Sequence, residues 1–446
     1  VREPFTVEVE NFGPFERVEI EVKPLTLLVG RNSVGKSMLM RLLWALLSMP
    51  PAPLLALPED AADAFLKAVA EGLAPPEESV RELVRASIES LQASLAEVAS
   101  DRLKSVFGVE QSEIVRAGAE AAKVSTRLGS EKPVVFAVSR GGVAVENLSE
   151  FLSGLIENLR VEVPAPGFLR LARGDVEVAG GVKTRYDVAS LISRLLSSIV
   201  ASKSPLGRAL LGASFGAFLP DSRAGVLRAA PPPFSRASWA LPSSVDWEFV
   251  DAVFRFAEAL GRGETEWLEP AKDFFRELGC ELAAKPVGAA YAIYVKTWSG
   301  KEVPLHLAPS GVREAAVVAL ALLSPYTPIV LVEEPEAHLH PGAVVKLAEL
   351  VALAVEMGKT VVASTHSDYL LAALNNIIAR SEVRAVEGGR LDPADVAAYL
   401  VKVEGGKAVV ERLEVTDEGI PEDEFARVAE ELLSEQARIY HALQKG

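Results

Sequence analysis

Gly30-Arg31-Asn32-Ser33-Val34-Gly35-Lys36-Ser37 has the spacing G-x4-G-K-[ST]. Two glycines let such a loop curl so that backbone N–H groups point inward at phosphates, and the positive end of a following helix adds to the attraction. Lys36 is the candidate for the β and γ phosphates of a nucleotide, and Ser37 offers its hydroxyl to Mg²⁺. Gly30, Arg31, Asn32, Ser33, Val34, Gly35 and Met38 complete the loop's candidate nucleotide-binding set. The chemistry implied is the binding of ATP with Mg²⁺ and, if a base is at hand, its hydrolysis.

Ile329-Val330-Leu331-Val332-Glu333-Glu334 closes an apolar run with two carboxylates. A second buried strand of this kind brings an acid beside the metal, so Glu333 is the candidate Mg²⁺ partner, through water. Glu334, one residue further on, could polarise the attacking water. Thr360-Val361-Val362-Ala363-Ser364-Thr365-His366 is another apolar run, ending in a histidine. At the carboxyl edge of a parallel sheet, His366 could donate to a γ-phosphate oxygen or hold the attacking water. Pro309-Ser310-Gly311-Val312-Arg313-Glu314 opens a helix, with Ser310 suited to cap it and Gly311 exposing N–H groups, an anion-binding arrangement.

These residues need elements to hold them. Phe5 to Glu21 alternates around Asn11-Phe12-Gly13-Pro14, which predicts two short strands and a turn. Leu25 to Val29 is a continuous apolar run, as for a strand buried on both faces, and Met38 to Leu47 continues as a helix. The strand, helix, strand alternation from Pro328 to Ser364 predicts a parallel sheet with crossover helices. Hairpins are expected at Val134 to Val145, at Tyr291 to Leu307 and at Ala398 to Val415, and helices at Asp187 to Ala201 and Pro421 to Leu443. Apolar residues from Val80 to Leu103 recur at helical spacing without a sustained heptad, which favours a packed amphipathic helix over a coiled-coil arm.

The fold class expected is α/β, with a central mostly parallel sheet, N-terminal antiparallel strands and a large, mainly helical insertion. Residues 1–50 and 286–446 would form the two halves of the nucleotide head, and 51–285 the insertion.

Composition narrows the field. The chain has 446 residues, 49% of them hydrophobic, enough for large packed cores, so global disorder is excluded. Lys plus Arg number 46 against 61 Asp plus Glu, a formal charge of −15, which argues against a basic coat gripping nucleic acid everywhere. The basic stretch is Lys203 to Arg236, with Arg208, Arg223 and Arg228 against Asp221; it reads as a solvated loop or, less favoured, a phosphate-binding surface. A single cysteine, Cys280, gives no support to an oxidising compartment. With no signal segment or apolar run long enough for a bilayer, a cytoplasmic protein without a membrane association is expected.

The motifs together resemble the ATPase heads of the ABC superfamily in its chromosome-maintenance branch, with the SMC and RecF proteins, and more closely the OLD-like AAA ATPases. The resemblance rests on Gly30 to Ser37, Ser310 to Glu314, Leu331-Val332-Glu333-Glu334-Pro335-Glu336-Ala337-His338-Leu339-His340-Pro341 and Ser364-Thr365-His366-Ser367, with Asn11-Phe12 and Leu219 to Gly225 as weaker features. It covers the first fifty residues and about Pro304 to Ser367.

The resemblance implies an ABC-type P-loop head whose homodimer sandwiches two ATP molecules. Ser310 and Gly311 would face the γ-phosphate on the partner's loop, Glu334 would be the base, His366 the switch histidine, and the loop around His338 and His340 would cross the interface. Asn11 and Phe12 join the nucleotide set on the same ground. Glu333 stands where most ABC proteins have Asp. The stretch after His366 leaves no room for the Toprim nuclease of the OLD proteins, so a built-in nuclease is not expected. With no cysteine near His338 and His340, zinc is not expected there either.

The leading function is an ATP-driven homodimeric switch acting on nucleic acid, DNA in particular, or on an effector protein, in DNA maintenance or anti-phage defence. A slow nucleotide sensor regulating a separate effector such as a nuclease is the alternative. A transporter motor is disfavoured because Leu-Ser-Gly-Gly-Gln is missing from the signature.

Overall fold

The computed structural model describes residues 5–49, 57–128, 133–148, 150, 159–173, 175–203, 216–229, 243–382 and 389–443. In chain order, β1 (Phe5–Phe12) and β2 (Phe15–Val22) precede β3 (Leu25–Val29), which feeds the glycine loop and α1 (Lys36–Leu47). Then follow α2 (Glu59–Ala70), α3 (Glu77–Phe107), α4 (Gln111–Ile114), β4 (Ala121–Leu128), β5 (Val134–Ser139), β6 (Gly142–Glu146), β7 (Arg160–Ala165), β8 (Phe168–Arg173), β9 (Val176–Gly181) and α5 (Arg185–Lys203). The next group is β10 (Gly216–Leu219), α6 (Arg223–Ala229), α7 (Ser244–Gly261), α8 (Lys272–Glu277), β11 (Cys280–Val287), β12 (Ala290–Thr297) and β13 (Glu302–Pro304). The chain closes with α9 (Ser310–Leu323), β14 (Ile329–Glu333), α10 (Pro341–Glu356), β15 (Thr360–Thr365), α11 (Asp368–Glu382), β16 (Val396–Glu404), β17 (Lys407–Leu413) and α12 (Asp423–Leu443).

An 11-stranded sheet in the order β10-β14-β15-β3-β16-β17-β2-β1-β4-β5-β6 organises the molecule. From β10 to β16 neighbours run parallel, and β3, β14 and β15 are buried at every position because helices cover both faces. Beyond β2 the pairs are antiparallel, and β1 alternates buried with half-exposed residues as a sheet covered on one face does. This is the α/β architecture expected, with the parallel half carrying the glycine loop, the acidic strand and His366.

The stretch 51–285 holds more strand than expected. The hairpin at Val134 is not a local ornament, since β4 joins it to β1 and extends the main sheet. β10 also lies within this stretch yet pairs in parallel with β14, placing Leu219 beside Val332 at the edge of the parallel half. Four residues are too short for any periodicity to announce a strand. β7, β8 and β9 form a separate three-stranded sheet. α3 is a packed helix, burying Leu83, Ile88, Leu91, Leu95 and Leu103 in the core. Of the basic stretch, Arg208 and Arg236 fall outside the described residues, Arg228 is exposed, and Arg223 is fully buried, so Arg223 cannot belong to a solvent-facing phosphate surface.

Lys359 fastens the base of the parallel half. Its Nζ donates to the carbonyls of Ala321 (3.2 Å), Ser324 (2.5 Å) and Thr327 (3.2 Å), tying the α10–β15 turn to the α9–β14 turn. Burial pushes its ammonium down to about 8. Between that value and the ordinary lysine value of 10.5 the unfolded chain holds more protons than the folded one, so Lys359 adds stability as pH rises through this window. The margin by which the native protein out-melts Lys359→Met should therefore widen from pH 8 towards 10.5, by at most about 3 kcal/mol. Thermal melts of both proteins across that range check it; a constant margin would contradict it.

Candidate nucleotide site

β3 runs between β15 and β16, and the Gly30 N–H donates to the Thr365 carbonyl (3.3 Å), so the glycine loop leaves the sheet beside the end of β15. Gly35 takes φ 106° as it turns into α1, and a Cβ there would lie 2.6 Å from the Phe15 ring; both the backbone and the space demand glycine. Arg31, Asn32, Ser33 and Ser37 are exposed along the outer rim of the loop, Gly30, Val34 and Lys36 are buried beneath it, and Met38 is half-buried. Lys36 Nζ donates to the carbonyls of Gly30 (2.6 Å) and Arg31 (2.7 Å). Burial pushes its ammonium below the ordinary value, opposed by the charges of Glu334, Glu336 and Glu333. Those three acids thus favour the charged form of the lysine.

Glu333 ends β14 and is 1% exposed. Its Oε2 accepts from the Asp221 N–H (3.1 Å), while its Oε1 is buried without a hydrogen-bond partner. Burial pushes this carboxyl above its usual value, and the Ser37 hydroxyl and the Asp221 N–H pull it back. A buried carboxylate oxygen with no donor, next to a serine hydroxyl, is a hard-oxygen set suited to Mg²⁺, which binds one or two protein oxygens and keeps water and phosphate for the rest. Glu333 and Ser37 therefore fit the metal they were assigned to hold.

Glu334 has left-handed backbone geometry (φ 45°), which a non-glycine residue keeps only when its surroundings hold it there. Its N–H donates to the Ser364 carbonyl (2.9 Å), and its Oε1 lies 3.2 Å from His366 Nδ1. Glu336, to which the sequence had assigned no role of its own, is buried; its Oε1 accepts from Thr365 Oγ1 (2.6 Å) and from the His366 N–H (3.4 Å). It fixes the end of β15 from which His366 projects.

The segment Ser310 to Glu314 that opens α9 differs in detail from expectation. Ser310 does not cap α9; Pro309 holds that position and the serine is the first helical residue. Gly311 has a packing reason as well, for a Cβ would lie 2.6 Å from the His338 carbonyl oxygen. His340 caps α10 instead, its Nδ1 accepting from the Gly342 N–H (3.3 Å). His338 Nδ1 lies 3.3 Å from Glu314 Oε1. Among the described residues no group of three or more His, Cys, Asp or Glu could hold a further metal ion.

Phe12 does not offer its ring to a nucleotide: it is fully buried, edge-on to Phe107 at 5.7 Å. Asn11 (φ 54°) turns the chain towards Gly13, and its carbonyl accepts from the Arg116 N–H. The sequence missed Arg223, Glu314 and Glu336 as parts of this site because a buried ion is invisible until the fold shows what surrounds it.

Two family models match the chain. Residues 6–84 match an AAA ATPase domain, and residues 176–372 match a model described as "AAA domain, putative AbiEii toxin, Type IV TA system". No curated protein matches significantly. Among solved structures, the chain is similar to an SMC head bound to the C-winged helix domain of ScpA (14% identity, TM-score 0.44, covering 93% of this chain and 98% of that one). It is also similar to the SMC head domain from Thermotoga maritima (12% identity, TM-score 0.36, 93% and 100% covered). A third is an Smc head domain with an extended coiled coil, bound to the C-terminal domain of ScpA derived from Pyrococcus furiosus (13% identity, TM-score 0.42, 96% and 99% covered). Among the described residues no helix is long and apolar enough to cross a membrane. The glycine loop falls in the segment matched by the AAA ATPase domain model, and α9, the acidic strand and His366 fall in the segment matched by the other AAA domain model.

Proposed function

We propose that this chain is a Mg²⁺-dependent ATPase of the OLD-like kind, working as a homodimeric switch that closes on two ATP molecules and opens after hydrolysis. The observation that carries the reading is the convergence on one sheet edge of the Lys36 loop, the unpartnered Glu333 oxygen beside Ser37, and the Glu334–His366 pair. Mg²⁺ held by Ser37 and Glu333 would neutralise charge developing on the phosphates. Lys36 exchanges its loop carbonyls for phosphate oxygens, Glu334 takes a proton from the attacking water, and His366 orients the Glu334 carboxylate. Ser310 and Gly311 complete the partner's site. The head is split between residues 1–50 and 286–446 and is joined by β10 from the intervening stretch. The product of the cycle is motion passed to DNA or to an effector protein, in DNA maintenance or phage defence, within the cytoplasm.

The test is ATP turnover of the full chain with and without EDTA, and with single-stranded DNA, duplex DNA or RNA. EDTA should lower turnover by about 10²-fold or more, and stimulation by one polymer would name the partner class. Turnover indifferent to EDTA would overturn the metal assignment.

A further inference from the structure

Arg223 is bound to the Glu333 and Glu334 backbone, and no step above uses it. It is fully buried, and its guanidinium spans the back of the site: Nη1 donates to the carbonyls of Pro220 (3.1 Å) and Glu333 (2.7 Å), and Nη2 to that of Glu334 (2.8 Å). The backbone of Glu334 is thus pinned on both sides, its N–H by the Ser364 carbonyl and its C=O by a charged donor. That holds a left-handed glutamate in place. Charge-assisted bonds of this kind are the strong ones, and only the planar fork of arginine reaches successive carbonyls and a carboxylate together.

The same Nη2 lies 3.5 Å from Glu314 Oε2, on the second turn of α9, and Glu314 is 1% exposed. Neither Glu314 oxygen has a hydrogen-bond partner, although Arg223 and His338 stand on either side of it. The pair is attractive but not locked, and a small relative movement of α9 and the 334–340 turn would convert ion-pair contact into hydrogen bonds. The turn has little freedom to move alone, because the His338 carbonyl leaves no room for a Cβ on Gly311.

We propose that Arg223 is a positioning residue for Glu334, and that the Arg223–Glu314 pair transmits the state of the Glu333–Glu334 turn to the first turn of α9, where Ser310 and Gly311 lie. This rests on the nucleotide reading of the site, but not on dimerisation, because the whole link lies within one chain.

The experiment is hydrogen–deuterium exchange on the full chain with and without Mg²⁺ and ATP, at a concentration where light scattering reports monomer. Protection over residues 30–40 reports binding, and protection over 305–314 reports transmission. In the native protein Mg²⁺ with ATP should slow exchange in both segments, by about ten-fold at 305–314. In Glu314→Gln protection at 30–40 should persist while that at 305–314 falls below about two-fold. Arg223→Lys should do the same and also lower kcat by about ten-fold with KM for ATP held within about three-fold; it carries the test should Glu314→Gln fail to fold. Equal protection of both segments in these variants would overturn the proposal. Loss of protection at 30–40 in the native protein would remove the nucleotide reading and this proposal with it. A failure to dimerise at higher concentration would remove only the two-copy reading.

Discussion

Glu334→Gln is expected to lower ATP turnover by about 10²- to 10⁴-fold, the range of a lost general base, while ATP binding survives. The substitution changes little else. Glutamine keeps the length of the side chain and can still face His366, which lies 3.2 Å from Glu334 Oε1. The two bonds that hold the left-handed turn, from the Glu334 N–H to the Ser364 carbonyl and from the Arg223 guanidinium to the Glu334 carbonyl, use only backbone groups of Glu334 and persist. What disappears is the one negative charge able to accept a proton from water. That charge also repels the phosphates, so nucleotide affinity should hold or rise. If two copies close on ATP, the variant should accumulate as a dimer that opens slowly. Turnover assays with light scattering on the same sample check both statements; turnover within a few-fold of native would overturn the assignment of the base.

How much of this was legible in the sequence depends on whether a residue's task is local. Gly30 to Ser37 could be read because the loop's function is written in its own backbone: glycine where φ turns positive, lysine and serine at fixed offsets. Glu333, Glu334 and His366 could be read because each closes an apolar run, and continuous burial marks a central parallel strand. β10 could not, since its four residues become a strand only by pairing with β14. Arg223 was read as part of a basic stretch, yet its charge is spent on carbonyls more than a hundred positions away, Glu333 and Glu334. Phe12 erred the other way. It was assigned to the nucleotide by resemblance, but an aromatic residue at a strand end is as well used in the core, where Phe107 from α3 closes over it. Ser310 shows the same limit, because cap and first helical residue differ by one position and only the Pro309 backbone decides between them.

Lys36→Met is the substitution expected to act on binding as well as turnover, weakening ATP affinity by about 10- to 10³-fold. In the structure the ammonium is held by the Gly30 and Arg31 carbonyls at 2.6 and 2.7 Å, so a nucleotide must compete with the loop's own oxygens. It wins because phosphate oxygens carry charge and carbonyls do not, and a charged acceptor bonds about twice as strongly. The lysine also answers the acids across the site. Glu334, Glu336 and Glu333 all favour its charged form, and burial already pushes Glu333 above its usual value. Without the ammonium, Glu333 would protonate more readily and hold Mg²⁺ less well, so the loss should deepen as pH falls. Methionine keeps the buried apolar stem, so folding should be unaffected. Lys36→Arg should not restore binding, because the wider guanidinium does not fit between two carbonyls that grip a single nitrogen. Calorimetric titration of ATP into both variants at several pH values checks this, and native affinity in Lys36→Met would show that the loop binds phosphate through its N–H groups alone.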